Sequence, residues 1–155
     1  MKYSLEIEIN QPIDKVIELF DNADYLEHWQ PGLQSVEHIS GELGKPGAKT
    51  KLRYLMGKRE VEMIETITAR DLPKEFSATF EANGVLNIQK NLFRAMGADR
   101  TKWISDNEFQ FSNLPMKLMG WLMPGAFKKQ SKIYLDAFKK FAEDYERVLS
   151  TSKTL

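Results

Sequence analysis

YSLEIEINQPIDKVIELFDNADYLEHWQPG, residues Tyr3–Gly32, decides the fold of this 155-residue chain. Its opening run sets Tyr3, Leu5, Ile7 and Ile9 on one face and Ser4, Glu6 and Glu8 on the other, the period of a half-buried strand. Pro12 suits a first helical position, where its missing N–H costs nothing. Ile13, Val16, Ile17 and Phe20 then recur at helical spacing. Asp21-Asn22 breaks that helix, a second short one is expected over residues 23–28, and Trp29-Gln30-Pro31-Gly32 turns the chain.

The residues that follow read as strands. Residues 33–40 form one, and GELGKPG is a loop rich in turn residues. Ala48, Thr50, Leu52, Tyr54 and Met56 alternate with Lys49, Lys51 and Arg53 before Gly57-Lys58 reverses the chain. Val61, Met63, Ile67 and Ala69 mark the next apolar face, and Phe76, Ala78, Phe80 and Ala82 the one after Asp71-Leu72-Pro73-Lys74. Asn83-Gly84 is a strong hairpin signal. Residues 85–95 and 101–112 make the last two strands, turning near Gly97-Ala98-Asp99.

The period then changes. Phe127, Ser131, Tyr134, Phe138, Phe141, Tyr145 and Val148 step by four and three, one stripe along a long helix. Leu114–Met123 reads as a helical lead-in, ended by Pro124-Gly125. The expected pattern is α+β, in the order β-α-α-β(6)-α, as one domain over residues 1–150 with a disordered tail at 151–155.

Composition narrows the function classes. Forty-two per cent hydrophobic residues, with nine Phe, three Trp and five Tyr, is globular. Twenty-two acidic and 22 basic residues leave no basic excess, which argues against nucleic acid as a partner. Cysteine is absent, so disulfides, thiolate metal sites and a cysteine nucleophile are excluded. His28 and His38, the two histidines, form no metal-binding pattern, and no metal or other cofactor is expected. No GxSxG occurs, and Pro46 after Gly44-Lys45 spoils a phosphate loop. With no apolar leader and no run long enough to span a bilayer, a soluble cytoplasmic protein is expected.

INQPIDKVIELFDNADYLEHWQPGLQSVEHI, the loop GELGKPGAKTK and the helix KIYLDAFKKFAEDYE resemble, in order and spacing, the START-like or SRPBCC superfamily. The likeness is to its bacterial polyketide cyclase/dehydrase and lipid transport-like members. It implies the helix-grip fold, a curved antiparallel sheet wrapped around the C-terminal helix with a cavity between them. It implies no particular reaction, since carriers, receptors, cyclases and chaperone activators share the fold.

Candidate lining residues follow from strand phase and the helical stripe. With residues 97–99 as the tip, Asn91 pairs with Ser105, Gln89 with Asn107 and Phe93 with Trp103, and Lys90 meets Asp106 on the other face. Two phases are open: one turns Asn87, Gln89, Asn91, Ser105 and Asn107 inward, the other Lys90 and Asp106. Phe109 and Phe111 share the parity of Trp103 and Asn107, which favours the first. Tyr134 lies mid-stripe beside Phe138, and a phenol buried there needs a partner from protein, water or ligand. Trp29 closes one end of a cavity or simply pins its turn. Tyr54, Met56, Met63 and Phe80 on apolar strand faces are pocket lining or core filling, thioethers being adaptable in either role. Met119, Trp121 and Met123 form a Met/Trp-rich surface that acts as a gate, touches a membrane transiently during ligand exchange, or caps the sheet. Arg53, Glu60 and Glu81 read as solvated, and no catalytic residue is identified.

The expectation is binding of a small hydrophobic or lipid-like molecule between the sheet and the last helix. A cyclase or dehydrase is the enzyme alternative and requires an inward acid or base with a perturbed pKa. A protein-interaction module is the third class. Monomer and homodimer are left open.

Overall fold

The computed structural model describes residues 1–145. The order is β1 (Lys2–Ile9), α1 (Ile13–Phe20), a 3-10 turn (Ala23–Tyr25), α2 (Leu26–Trp29), β2 (Leu33–Ser40), β3 (Lys49–Met56), β4 (Arg59–Asp71), β5 (Glu75–Ala82), β6 (Val85–Ala95), β7 (Thr101–Phe111), α3 (Leu114–Leu122) and α4 (Pro124–Glu143). The expected order holds, with the lead-in before the long helix standing as a helix of its own. Val148 and the tail at 151–155 lie outside the described residues.

All seven strands form one antiparallel sheet in the order β1-β7-β6-β5-β4-β3-β2. Strands β2 to β7 run as a meander, and β1 closes onto β7, so the two short helices connect the sheet's opposite edges. Helix α4 lies on the sheet's inner face. Tyr3 of β1 holds its N-terminal half, bonding the Ser131 hydroxyl at 2.6 Å and donating to the Phe127 carbonyl at 3.1 Å. Its C-terminal half is held where the Glu143 carboxylate accepts from the Asn10 amide at 2.8 Å and Gln11 donates to the Ala142 carbonyl.

The opening stretch folds as its pattern predicts, and its parts anchor the sheet. Pro12 sits one position before α1 and its carbonyl accepts from Val16 at 3.0 Å. Asp21, just past α1, accepts two hydrogen bonds from the Arg70 guanidinium of β4, at 2.6 and 2.5 Å. The Trp-Gln-Pro-Gly turn docks on β3. Leu55 N–H donates to the Gly32 carbonyl at 2.7 Å, and a Cβ on Gly32 would stand 2.3 Å from the Leu55 carbonyl oxygen. With φ at +86° as well, only glycine fits there.

The packed core lies at the end of the sheet covered by α1 and α2. Phe20 stacks on Trp29 and meets Phe93, Trp103 and Phe138 edge-on, at centroid distances of 4.9–5.9 Å. Ile9, Val16, Leu19, Leu135 and Phe141 complete it. Removing the Phe138 ring would cost about 3–5 kcal/mol, typical of a fully buried Phe.

Candidate functional site

The β6–β7 register is the one expected from a turn at 97–99: Asn91 faces Ser105, Gln89 faces Asn107 and Phe93 faces Trp103. The amides point inward, since Asn91 and Ser105 are 1% and 0% exposed while Lys90 and Asp106 are on the outside. Lys90 and Asp106 oppose one another, yet the Lys90 ammonium lies 3.8 Å from the Glu75 carboxylate of β5. A third strand supplies the ion-pair partner that the hairpin itself was expected to give.

The amide row is largely satisfied from within. Trp103 Nε1 donates to Asn91 Oδ1, Asn91 to Gln89, Gln89 to Asn107, and Asn107 to the Ser105 hydroxyl, at 2.9–3.2 Å. Asn87 donates to Asn107 and to the Glu108 carbonyl. These groups form a chain of mutual hydrogen bonds that fixes the inner wall.

Burial along that wall is graded. Toward α1 and α2, Ile9, Phe93, Trp103, Asn91, Ser105 and Phe138 are sealed. Toward α3, Met63, Phe80, Asn87, Phe109, Phe111 and Phe127 stay only partly buried, although their strand positions or ring contacts place them inside. Trp29, Trp103 and Phe138 therefore belong to the packed end. Phe80, Asn87, Gln89 and Met63 belong to the partly open one, as does Met56 near the β3–β4 turn.

Two polar groups there lack the partners the amides have. Tyr134, on α4, is directed at β3: its ring centroid lies 6.5 Å from that of Tyr54. Among the described residues the Tyr134 hydroxyl is buried without a hydrogen-bond partner. Burial pushes its phenol up, and Gln130, one turn earlier on α4, pulls the other way without reaching hydrogen-bond geometry. Tyr54 is buried too, its phenol pushed well up by burial, and its hydroxyl is committed to Gln30 of the Trp-Gln-Pro-Gly turn.

The second group is Glu65. It faces Thr50 on β3 and Phe80 on β5, in a transverse row that continues to Asn87 and Phe109. Burial pushes its carboxyl up to about 7. Among the described residues it has no hydrogen bond or ion pair, and its charge is felt by Tyr54. Sequence reasoning missed it, though the signal was present: Glu65 stands in phase with Val61, Met63 and Ile67 on the apolar side of β4. An acid on the apolar parity of a strand is an inward-pointing acid.

Helix α3 lies beside the partly open end. The Asn113 side chain caps it by accepting from Met116 N–H at 3.0 Å. Gly120 lets it rest on the Phe111 ring, since a Cβ there would come within 2.6 Å of that ring. Its other face is bare: Trp121 is 78% exposed, and Met119 and Met123 are exposed beside it. Among the described residues, no helix is long and apolar enough to cross a membrane, and no three His, Cys, Asp or Glu side chains gather where they could hold a metal.

A single curved antiparallel sheet gripping a long C-terminal helix defines a helix-grip protein of the α+β class. The chain belongs to the polyketide cyclase/dehydrase and lipid transport family, whose model matches residues 1–143. Solved structures of the same fold include an aromatase/cyclase of Streptomyces sp. R1128, at 14% identity and a TM-score of 0.78, covering 93% of this chain and 94% of that one. A Thermus thermophilus protein, TTHA0849, is 17% identical with a TM-score of 0.70, over 98% and 99% of the two chains. A norcoclaurine synthase point mutant of Thalictrum flavum, solved with a transition-state analogue, is 14% identical with a TM-score of 0.69, over 94% and 96%. At such identities the likeness is one of fold. No curated protein matches by sequence.

Proposed function

We propose that this protein holds a small hydrophobic molecule between the sheet and α4, at the end of the wall nearest α3. The observation that carries this reading is the gradient of burial: one end of the inner face is sealed by aromatic packing, and the other keeps apolar side chains only partly covered. Apolar walls with a few convergent polar groups suit such a ligand. Tyr54, Met56, Met63, Phe80 and Tyr134 would line it, with Asn87, Gln89 and Asn107 as the polar floor and Trp29, Trp103 and Phe138 as the closed end. Native mass spectrometry and solvent extraction of the purified protein should reveal a retained apolar molecule. Absence of any, together with no uptake of added hydrophobic probes, would overturn the reading.

On the same proposal Met119, Trp121 and Met123 act as the gate, a role supported by α3 standing beside the partly covered end with its apolar face exposed. Trp121→Ser should then change the rate at which a bound probe leaves, with its equilibrium affinity altered far less. An unchanged release rate refutes the gate.

One observation favours a second reading, a cyclase or dehydrase. Glu65 is an inward acid that gains and loses its proton near neutral pH, the property general acid–base catalysis needs. Wild type should then speed deuterium uptake at the α-carbon of an enolisable aryl ketone such as 2-tetralone, and Glu65→Gln should not. Equal rates for the two proteins would dismiss it.

A further inference from the structure

Resting on the binding reading above, we propose that Glu65 selects the head group of the ligand, and that the molecule held there carries a protonated amine on an aromatic or otherwise apolar body. The charge pattern of the wall comes first. On β3 to β7 the face that Glu65 shares carries two basic residues, Arg59 and Arg70, and neither serves it. Arg59 is exposed at the start of β4, six positions or about 20 Å along the strand. Arg70, brought to this face by the bulge after Ile67, is bound to Asp21. The Glu65 carboxylate is thus a formal charge in the middle of the wall that nothing described neutralises. An ionised carboxylate withdrawn from water without a partner is costly, and a ligand of opposite charge removes that cost.

The surroundings sharpen the class. Phe80 stands directly across from Glu65 on β5, and Tyr54 of β3, which feels the Glu65 charge, carries the ring of Tyr134 of α4 beside its own. The Tyr54 hydroxyl is already spent on Gln30, so what it offers a ligand is its ring. Aromatic faces beside a carboxylate attract a protonated amine through both the ring quadrupole and a charge-assisted hydrogen bond. A ligand whose body extends from Glu65 past Tyr54 would meet, at Tyr134, a hydroxyl left without a partner among the described residues. A fatty acid or other carboxylate would instead meet a like charge, and a neutral alcohol would regain a hydrogen bond but no charge pair.

The titratable group that feels Glu65 is Tyr54 from β3, and Tyr134 of α4 meets Tyr54 in turn; the neighbour from β5, Phe80, is uncharged. Burial holds both phenols above their ordinary range, away from neutrality. Between pH 5.5 and 8 the change of charge at this place therefore falls on Glu65.

Calorimetric titration of the full chain with three probes that share one body tests the proposal: 2-naphthylmethylamine, 2-naphthylmethanol and 2-naphthoate, each at pH 5.5 and pH 8. Wild type should bind the amine at least about tenfold more tightly than the alcohol at pH 8, with the carboxylate weakest, a difference typical of a partly desolvated charge pair. Amine affinity should fall about tenfold or more at pH 5.5, because the competent, ionised fraction of Glu65 falls by that order. Glu65→Gln should lose the amine preference and its pH dependence while keeping the alcohol within about twofold, as expected when only the charge pair is removed. The wild-type comparison across probes and pH decides the matter even if the variant folds poorly. An amine bound no better than the alcohol, a preferred carboxylate, or a variant that keeps its amine preference overturns the role of Glu65 and leaves the binding reading standing. Failure of all three probes, with nothing retained in native mass spectrometry, overturns both.

Discussion

Replacing Glu65 with Gln perturbs the candidate site in a way that stability alone can report, before any ligand is identified. In the folded chain burial pushes this carboxyl from its ordinary 4.5 up to about 7. Below pH 4.5 the folded and unfolded chains both hold the proton, and the residue adds no penalty. As pH rises toward 7 the unfolded chain releases the proton while the folded chain retains it, so stability falls. Above 7 the folded chain carries the buried charge and the loss is complete. The gap between 4.5 and about 7 corresponds to about 3 kcal/mol. Gln cannot ionise, so the variant should match wild type near pH 4 and exceed it by about 3 kcal/mol at pH 8. In a domain of this size that is a difference of about 6–12 °C in Tm. Urea unfolding followed by far-UV circular dichroism, on both proteins from pH 4 to 9, measures it directly. Parallel curves, or a variant less stable than wild type at pH 8, would show that the carboxylate has a stabilising partner and would refute the reasoning.

Three further outcomes follow from single contacts. Tyr134→Phe removes a buried hydroxyl that has no partner among the described residues, so thermal unfolding should show a gain of about 1 kcal/mol rather than the usual loss; a clear loss would mean the hydroxyl is satisfied. Gly32→Ala adds a Cβ against the Leu55 carbonyl at a positive φ and should cost at least about 2 kcal/mol in urea unfolding. A change within experimental error would show that the turn relaxes away from β3. Asp21→Asn breaks the bidentate contact with Arg70 between α1 and β4, and its partly exposed setting limits the loss to about 1 kcal/mol by the same measurement. A much larger loss would mark that pair as a main anchor of α1.

Much of the architecture was legible because its signals are local. Alternation in Tyr3–Ile9 and helical spacing in Ile13–Phe20 depend on residues a few positions apart, and both elements form where the pattern puts them. The β6–β7 register needed only a turn position, because the hairpin pairs residues by simple counting from its tip. The inward phase of the amides was favoured by Phe109 and Phe111 sharing their parity, with the opposite phase left open by the sequence. Glu65 is legible by the same rule, since it stands between Met63 and Ile67 on the apolar parity of β4.

What those patterns left undecided is who partners whom across strands that counting does not connect. The amides of Asn87, Gln89, Asn91 and Asn107 looked from the sequence like the groups a ligand would meet, and the folded wall ties them largely to one another. Lys90 leaves its hairpin partner for Glu75 on the adjacent strand. The stripe on α4 marked Tyr134 and Phe138 alike, yet one hydroxyl ends unpaired near the open end and one ring ends fully sealed. Periodicity, then, determined which face each side chain takes, because strand and helix geometry are properties of neighbouring residues. Tertiary structure decided which polar groups are satisfied, how deeply each is buried and which end of the wall is only partly covered. Those depend on atoms brought together from β3, β4, α3 and α4, far apart in the chain.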